Sequence, residues 1–145
     1  MKLKSVLCSS HDLKKNGYHI LRKLHKIETR KGANKAYASA INDTFFFVLS
    51  VRALVEIINT EYPEELAFLD RCDRFISYLD KAAAKRQRIN GTILASFLRA
   101  YTSFFNRIAS THHIFRFNDD IIELWNTKCL MAYVATWGIN SKKRV

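Results

Sequence analysis

Hydrophobic residues recur along this chain with the spacing of amphipathic helices rather than that of strands. Apolar side chains three or four positions apart fall on one side of a helix, whereas a half-buried strand alternates every second residue. Five segments show the helical spacing, and short polar stretches separate them. We therefore predict helices over about residues 12–30, 34–60, 63–88, 92–112 and 119–138.

Local signals indicate where these helices begin and end. The second helix is the most apolar and is predicted to be central, although Asn42 and Asp43 could divide it because both residue types favour caps. Pro63, followed by two glutamates, is typical of a helix start. Thr92 is predicted to cap the fourth helix, and Gly138 is predicted to end the fifth.

Short connections between the helices favour antiparallel neighbours. We therefore predict an all-α fold, a single-domain antiparallel bundle of four or five helices over residues 1–145, with flexible ends at 1–10 and 139–145. The chain has only 4 glycines and 1 proline, which is few for a strand-rich fold. Its 145 residues can bury a core without disulfides or a structural metal.

The formal net charge of +11 is distributed unevenly. Residues 1–35 carry ten basic side chains against two acidic ones, whereas residues 43–80 carry three basic side chains against eight acidic ones. Positive charge returns at 81–88 and at 142–144. Basic blocks are typical of proteins that bind nucleic acid. An acidic protein or membrane surface, or helix faces that only aid solubility, remain alternatives.

Two basic stripes lie away from the apolar positions on a helical wheel. The stripe on the first predicted helix comprises Lys15, Arg22, Lys26 and Arg30. The stripe on the third comprises Arg74, Lys81, Lys85 and Arg88. Together they could form a groove for a phosphate backbone, with affinity that depends little on sequence. No duplex-reading helix-turn-helix is evident, so we expect RNA or single-stranded DNA as the ligand.

Aromatic residues near such a groove could stack on unpaired bases. The chain has 18 aromatic residues, and most of them fall on the apolar stripes, where their large area favours core packing. Tyr18 is the exception, because it lies between the basic and apolar faces of the first predicted helix.

The segment from Arg107 to His112 resembles the Arg-x4–6-His motif of HEPN domains. That family is all-helical and often consists of dimeric, metal-independent ribonucleases. The resemblance implies that Arg107 and His112 are catalytic, with histidine as general acid or base and arginine stabilising the charged phosphorane. Ile108 stands where the family usually has a polar residue. On a continuous helix the two side chains would point about 140° apart, so convergence needs a break.

No cofactor is predicted, and no metal site. Cys8 and His11 have the spacing of metal ligands, but a matching second pair is missing. The odd number of widely spaced cysteines favours a reducing, cytoplasmic compartment. Residues 1–10 lack the apolar stretch of a signal peptide, and the most apolar run, 45–58, contains charged residues and is too short to span a bilayer, so no membrane association is expected.

The leading hypothesis is a basic helical protein that binds nucleic acid without catalysis, as a small subunit of a larger nucleoprotein complex or as a homo-oligomer. The first alternative is a HEPN-like ribonuclease or toxin. The second is an adaptor that binds an acidic protein partner. These classes differ in their ligand, in the need for Arg107 and His112, and in whether RNA is cut.

Overall fold

The structure is a computed structural model, and it describes residues 15, 17, 19–24, 26, 34–85, 87–110 and 119–143. The long helices in these residues are α1 (Asn34–Asn59), α2 (Leu66–Lys85), α3 (Gly91–Ser110) and α4 (Asp119–Lys143). A short 3₁₀ helix, Pro63–Glu65, leads into α2. The described residues between 15 and 26 are also helical and are called the N-terminal segment. The described parts contain no strand, which confirms the all-α class.

The pair of helices α1 and α2 forms an antiparallel hairpin. Arg52 of α1 contacts Asp73 of α2 near the connecting turn. At the opposite end, the Tyr37 hydroxyl donates to the carbonyl oxygen of Gln87 just beyond α2. A residue early in α1 thus contacts the far end of the α2 region, and a residue late in α1 contacts an earlier part of α2. The two helices therefore run antiparallel.

Aromatic rings join α2 to α3 in the same antiparallel sense. Phe68 lies against Phe104 with ring centroids 4.9 Å apart. Further along α2, Phe75 stacks on Phe97 at 4.2 Å with an interplanar angle of 10°. All four rings are buried, so this seam is part of the hydrophobic core. Each such ring buries a large apolar area, which makes the α2–α3 pairing a major source of stability.

Helix α4 packs antiparallel on the other side of α1. The Trp125 indole N–H donates to the carbonyl oxygen of Ser50 at 2.8 Å. The Tyr133 hydroxyl donates to the carbonyl oxygen of Phe46 at 3.2 Å. Helix α1 therefore lies between α2 and α4, as its apolar composition predicts. All six of its residues expected in the core are buried: Ile41, Phe45, Val48, Leu49, Val55 and Ile58.

The N-terminal segment packs on the bundle through a close contact with α3. Leu21 and Leu24 are buried in the common core. One turn earlier, Gly17 lies directly against the hydroxyl of Tyr101, where even a methyl group would overlap it. The absence of a side chain at this position is therefore what lets the segment approach α3.

Several predicted boundaries are wrong. Helix α1 continues through Asn42 and Asp43 without a break, because Ile41 and Thr44 on either side of this pair are buried and hold the helix in place. Asn90, not Thr92, caps α3: its Oδ1 accepts the N–H of Thr92 at 2.8 Å and that of Ile93 at 3.2 Å. Helix α2 ends at Lys85, three residues before the predicted end. Gly138 does not end α4, since glycine costs only about 1 kcal/mol inside a helix.

Helix α4 is apolar on more than its core side. Trp125 and Cys129 are fully buried against α1. Large apolar side chains of α4 that are exposed, among those whose burial the structure describes, include Leu124, Leu130, Met131 and Val134. Even so, none of the helices in the described ranges combines the length and apolar character needed to cross a membrane.

Candidate nucleic-acid interface

The basic stripe predicted on the third helix lies on the outer face of α2. Arg74, Lys81 and Lys85 are exposed and fall within about 40° of one another at 100° per residue. Arg88 is exposed as well, but it lies beyond the helix end. No ion pair between described residues involves any of these four cations. Their charge is therefore left to face solvent or a ligand.

Cations near α1, by contrast, are paired with carboxylates. Arg52 lies 2.8 Å from Glu56 and 2.5 Å from Asp73, and Lys128 lies 3.4 Å from Glu56. Although burial acts to raise the pKa of Glu56, Lys128 and Arg52 hold that pKa below its ordinary value. These carboxylates thus neutralise the cations between the helices. On the outer face of α2 the exposed Asp70 lies one turn before Arg74, so the four cations Arg71, Arg74, Lys81 and Lys85 still leave that face positive.

A groove of about 400 Å³ lies between α2 and α3, beside the basic stripe. Its walls include Arg71, Arg74, Tyr78, Thr92, Ile93 and Ser96. Arg71 crosses the groove and donates from Nη2 to the Ser96 hydroxyl at 2.7 Å. Both groove arginines are exposed, and no carboxylate in the described part of the chain pairs with either. We call this cavity, with its two arginines, the arginine groove.

The floor of the arginine groove is a stack of aromatic rings. Phe97 and Phe75 stack at 4.2 Å, and Phe75 is followed by Tyr78 at 6.3 Å with an interplanar angle of 23°. The two phenylalanines are buried, whereas Tyr78 is only half-buried. The Tyr78 hydroxyl accepts the backbone N–H of Asn90 at 2.7 Å, which holds the ring in place. An aromatic surface therefore reaches solvent between positive side chains.

The start of α3 adds to the positive potential of the groove. Thr92 and Ile93 are in its first turn and line the groove wall. The N-terminus of a helix carries a partial positive charge from its aligned peptide dipoles, although here Asn90 Oδ1 already accepts the N–H groups of Thr92 and Ile93. A negatively charged group in the groove is therefore favoured both by the arginines and by the helix end.

The N-terminal stripe is exposed but belongs to another side of the bundle. Its described members are Lys15, Arg22 and Lys26, whereas Arg30 lies outside the described residues. Gly17 of the same segment packs on Tyr101, which is about 140° from Ser96 around α3. No described residue of the N-terminal segment lines the arginine groove. The single groove expected between the two stripes is thus not formed by these residues.

Arg107 forms a buried contact that sequence reasoning missed. Its Nε lies 2.6 Å from Oε1 and 3.2 Å from Oε2 of Glu65. The Glu65 side chain is fully buried, while that of Arg107 is 35% exposed. The pair ties the end of α3 to the 3₁₀ helix before α2, so Arg107 has a structural role. His112 lies outside the described residues, and the HEPN resemblance stays a prediction.

A second cavity, of about 260 Å³, lies between the N-terminal segment and α1. His19, Asp43 and Ser50 are among its lining residues, and these are the residue types of a hydrolytic triad. The Ser50 hydroxyl is engaged with the Tyr133 hydroxyl at 2.5 Å and with the carbonyl oxygen of Phe46 at 3.1 Å. Asp43 and Ser50 are two turns apart, about 10 Å along the helix. This arrangement gives no activated nucleophile.

Arg71 and Tyr78 are the interface residues that the sequence interpretation did not single out. Arg71 is three positions before Arg74, and Tyr78 is four positions after it, so all three share one side of α2. The helical spacing in the sequence could therefore have indicated both Arg71 and Tyr78. Tyr18, the one aromatic residue assigned to a boundary position, lies outside the described residues, as do Cys8 and His11.

The chemistry of the site is indicated neither by a metal-binding cluster among the described residues nor by similarity to a known protein. The described residues contain no group of three or more His, Cys, Asp or Glu side chains that could hold a metal ion. No protein-family model, curated protein or solved structure matches the chain. The function is therefore inferred from the charge, exposure and packing of its own side chains.

Proposed function

We propose that this protein binds RNA or single-stranded DNA along the exposed face of α2, next to the start of α3. The observation that carries this proposal is a run of exposed cations without a carboxylate partner among the described residues. The run comprises Arg71, Arg74, Lys81 and Lys85, and it adjoins an aromatic floor. Phosphate groups would take the place of the missing carboxylates.

The dimensions of this face suit a nucleic-acid backbone. Arg71 and Lys85 are separated by about 21 Å along the helix axis. Four phosphate contacts on a single strand correspond to a slope of about −3 in a plot of log affinity against log salt. The affinity should therefore be strongly electrostatic and nearly independent of base sequence. The N-terminal stripe lies on another side and is proposed to add only long-range attraction.

We propose in addition that the chain is a subunit of a larger nucleoprotein complex. The exposed apolar residues of α4 form a surface of the kind that contacts other proteins. The described side chains offer no nucleophile paired with a base, so we propose binding rather than catalysis.

Two matched charge reversals test the proposed face. Lys81→Glu with Lys85→Glu alters α2, and Lys15→Glu with Arg22→Glu changes the net charge by the same amount on the N-terminal segment. Fluorescence anisotropy with a labelled single-stranded RNA should show the larger loss for the α2 variant, with its salt slope reduced by about 1.4. Equal losses would assign the binding to net charge alone. Parental affinity in the α2 variant would refute the proposal.

Two further probes separate the alternative functions. Poly-glutamate that competes as well as RNA of equal charge would favour an adaptor for an acidic protein. RNA cleavage in EDTA that requires both Arg107 and His112 would favour the HEPN-like ribonuclease. For a nucleic-acid-binding protein we expect weak competition by poly-glutamate and intact RNA.

A further inference from the structure

We infer that the arginine groove takes the base of one unpaired nucleotide, while Arg71 and Arg74 bind the adjoining phosphates. This inference deepens the proposed function and rests on it. Tyr78 is thereby given a base-binding role. The groove would also favour single strands over duplexes, a preference that charge alone does not provide.

The aromatic rings beneath the groove are arranged in a way that suits stacking by a base. Phe97, Phe75 and Tyr78 form a continuous series whose interplanar angles are 10° and 23°. The series begins in the core and ends at Tyr78, which is half-buried. A planar base placed against Tyr78 would extend the series by one member. Stacking of this kind tolerates every base, because each base has a π face.

The polar groups of the groove match those of a nucleotide. Arg71 is positioned by its hydrogen bond to Ser96, and Arg74 lies one turn further along α2. Arginine binds phosphate in a fork-like geometry, and positioning it in advance lowers the entropy lost on binding. The base would thus lie against the aromatic and aliphatic side chains of the groove, and the adjoining phosphates would contact Arg71 and Arg74.

A base can enter the groove only from a single strand. Bases in a duplex are already stacked on their neighbours, so only an unpaired base can present a free face to Tyr78. The volume of about 400 Å³ is within the range of small-molecule sites. A single strand can therefore place a base in the groove while its backbone continues along Lys81 and Lys85.

The test compares two probes with the same number of phosphates. One is a single-stranded DNA of about twelve nucleotides, within the usual range of site sizes, and the other is the same backbone with abasic sites throughout. The parent protein should bind the base-bearing probe about 5- to 100-fold more tightly, as expected for stacking of one base. Both probes should show the same dependence on salt, since their phosphate contacts are equal.

Paired variants locate the effect at the groove. Tyr78→Leu should remove the preference for the base-bearing probe, while Tyr78→Phe, which keeps the ring, should retain it. Thr92 is exposed and lines the groove, so Thr92→Trp should fill the groove without altering a buried side chain. Thr92→Ala is its control. If Tyr78→Leu fails to fold, the Thr92 pair decides the question.

The outcomes distinguish this inference from the proposed function. Equal, salt-dependent binding of both probes by the parent protein would overturn base binding and leave the backbone interface standing. A preference that survives in both Tyr78→Leu and Thr92→Trp would place the base elsewhere and refute this site. Failure of both probes to bind at low salt would refute the proposed function itself.

Discussion

Removing Arg107 tests the packing around Glu65 most directly. The Glu65 carboxylate has no solvent exposure, and it lies 2.6 Å from Nε of Arg107. Arg107→Ala removes the guanidinium and leaves the negative charge in a buried position. Because a buried charge that loses its contact with Arg107 becomes costlier to keep in the fold, we expect a clear loss in the free energy of unfolding.

The magnitude follows from the burial of the two partners. Breaking a fully buried pair by removing one member costs about 3–5 kcal/mol. The Arg107 side chain is 35% exposed, so solvent screens part of the attraction, and a loss of about 2–3 kcal/mol is the more reasonable expectation. The free energy of unfolding of a single domain is about 5–15 kcal/mol, so a change of this size is readily measured.

Urea unfolding at pH 7, followed by circular dichroism, provides the assay. Arg99→Ala is the matched control, because Arg99 is an exposed arginine of the same helix. Adding Glu65→Gln to Arg107→Ala should recover part of the loss, with a coupling of about 0.5–3 kcal/mol in a double-mutant cycle. An Arg107→Ala variant as stable as the Arg99 control would refute the reasoning.

The stability of the Arg107→Ala variant also bears on the ribonuclease alternative. A catalytic Arg107 should be removable with little effect on stability, whereas an arginine that neutralises Glu65 should not. Loss of RNA cleavage in Arg107→Ala therefore has meaning only at temperatures where that variant remains folded.

Three further predictions concern individual contacts. Gly17→Ala should lower the free energy of unfolding in urea by about 1–3 kcal/mol, since the new methyl group overlaps Tyr101. Alanine usually stabilises a helix relative to glycine, so a more stable variant would contradict that contact. Burial raises the pKa of the Cys129 thiol from 9.0 to about 11, so its neutral form stabilises the fold fully below about pH 9 and loses that effect as the pH rises towards 11. Urea unfolding from pH 8 to 10.5 should show this decline, and Cys129→Ala should reduce it. Tyr133→Phe should cost about 1 kcal/mol in the same assay, because it removes the hydroxyl that contacts both Ser50 and the carbonyl oxygen of Phe46; an unchanged midpoint would show that these bonds contribute nothing net.

Much of the fold could be predicted from residue periodicity. The core of α1 follows from apolar residues on most sides of the helix, a pattern that only a central helix can satisfy. The boundaries at Thr92 and Gly138 failed for local reasons. Asn90 competes with Thr92 as a cap and is the better one, and a single glycine does not cost enough to stop a helix that is otherwise favourable.

Contacts between distant residues account for what the sequence could not reveal. Glu65 has the position of a solvent-exposed acid in a first helical turn, and its burial depends on Arg107, which lies 42 positions away. The arginine groove likewise depends on the register between α2 and α3. Periodicity assigns Phe75 to the core, but it does not indicate that Phe97 lies beneath it or that Ser96 positions Arg71.

The distribution of carboxylates explains why the exposed face of α2 remains positive although residues 43–80 are acidic overall. Glu56, Glu65 and Asp73 are committed to ion pairs with cations on other helices or at other turns. Their charge is balanced by these cations and is not available to Lys81 or Lys85. A formal net charge of +11 is itself unfavourable through self-repulsion. An anionic ligand on this face would relieve that repulsion without disturbing these ion pairs, which is the physical basis for the interface proposed on α2.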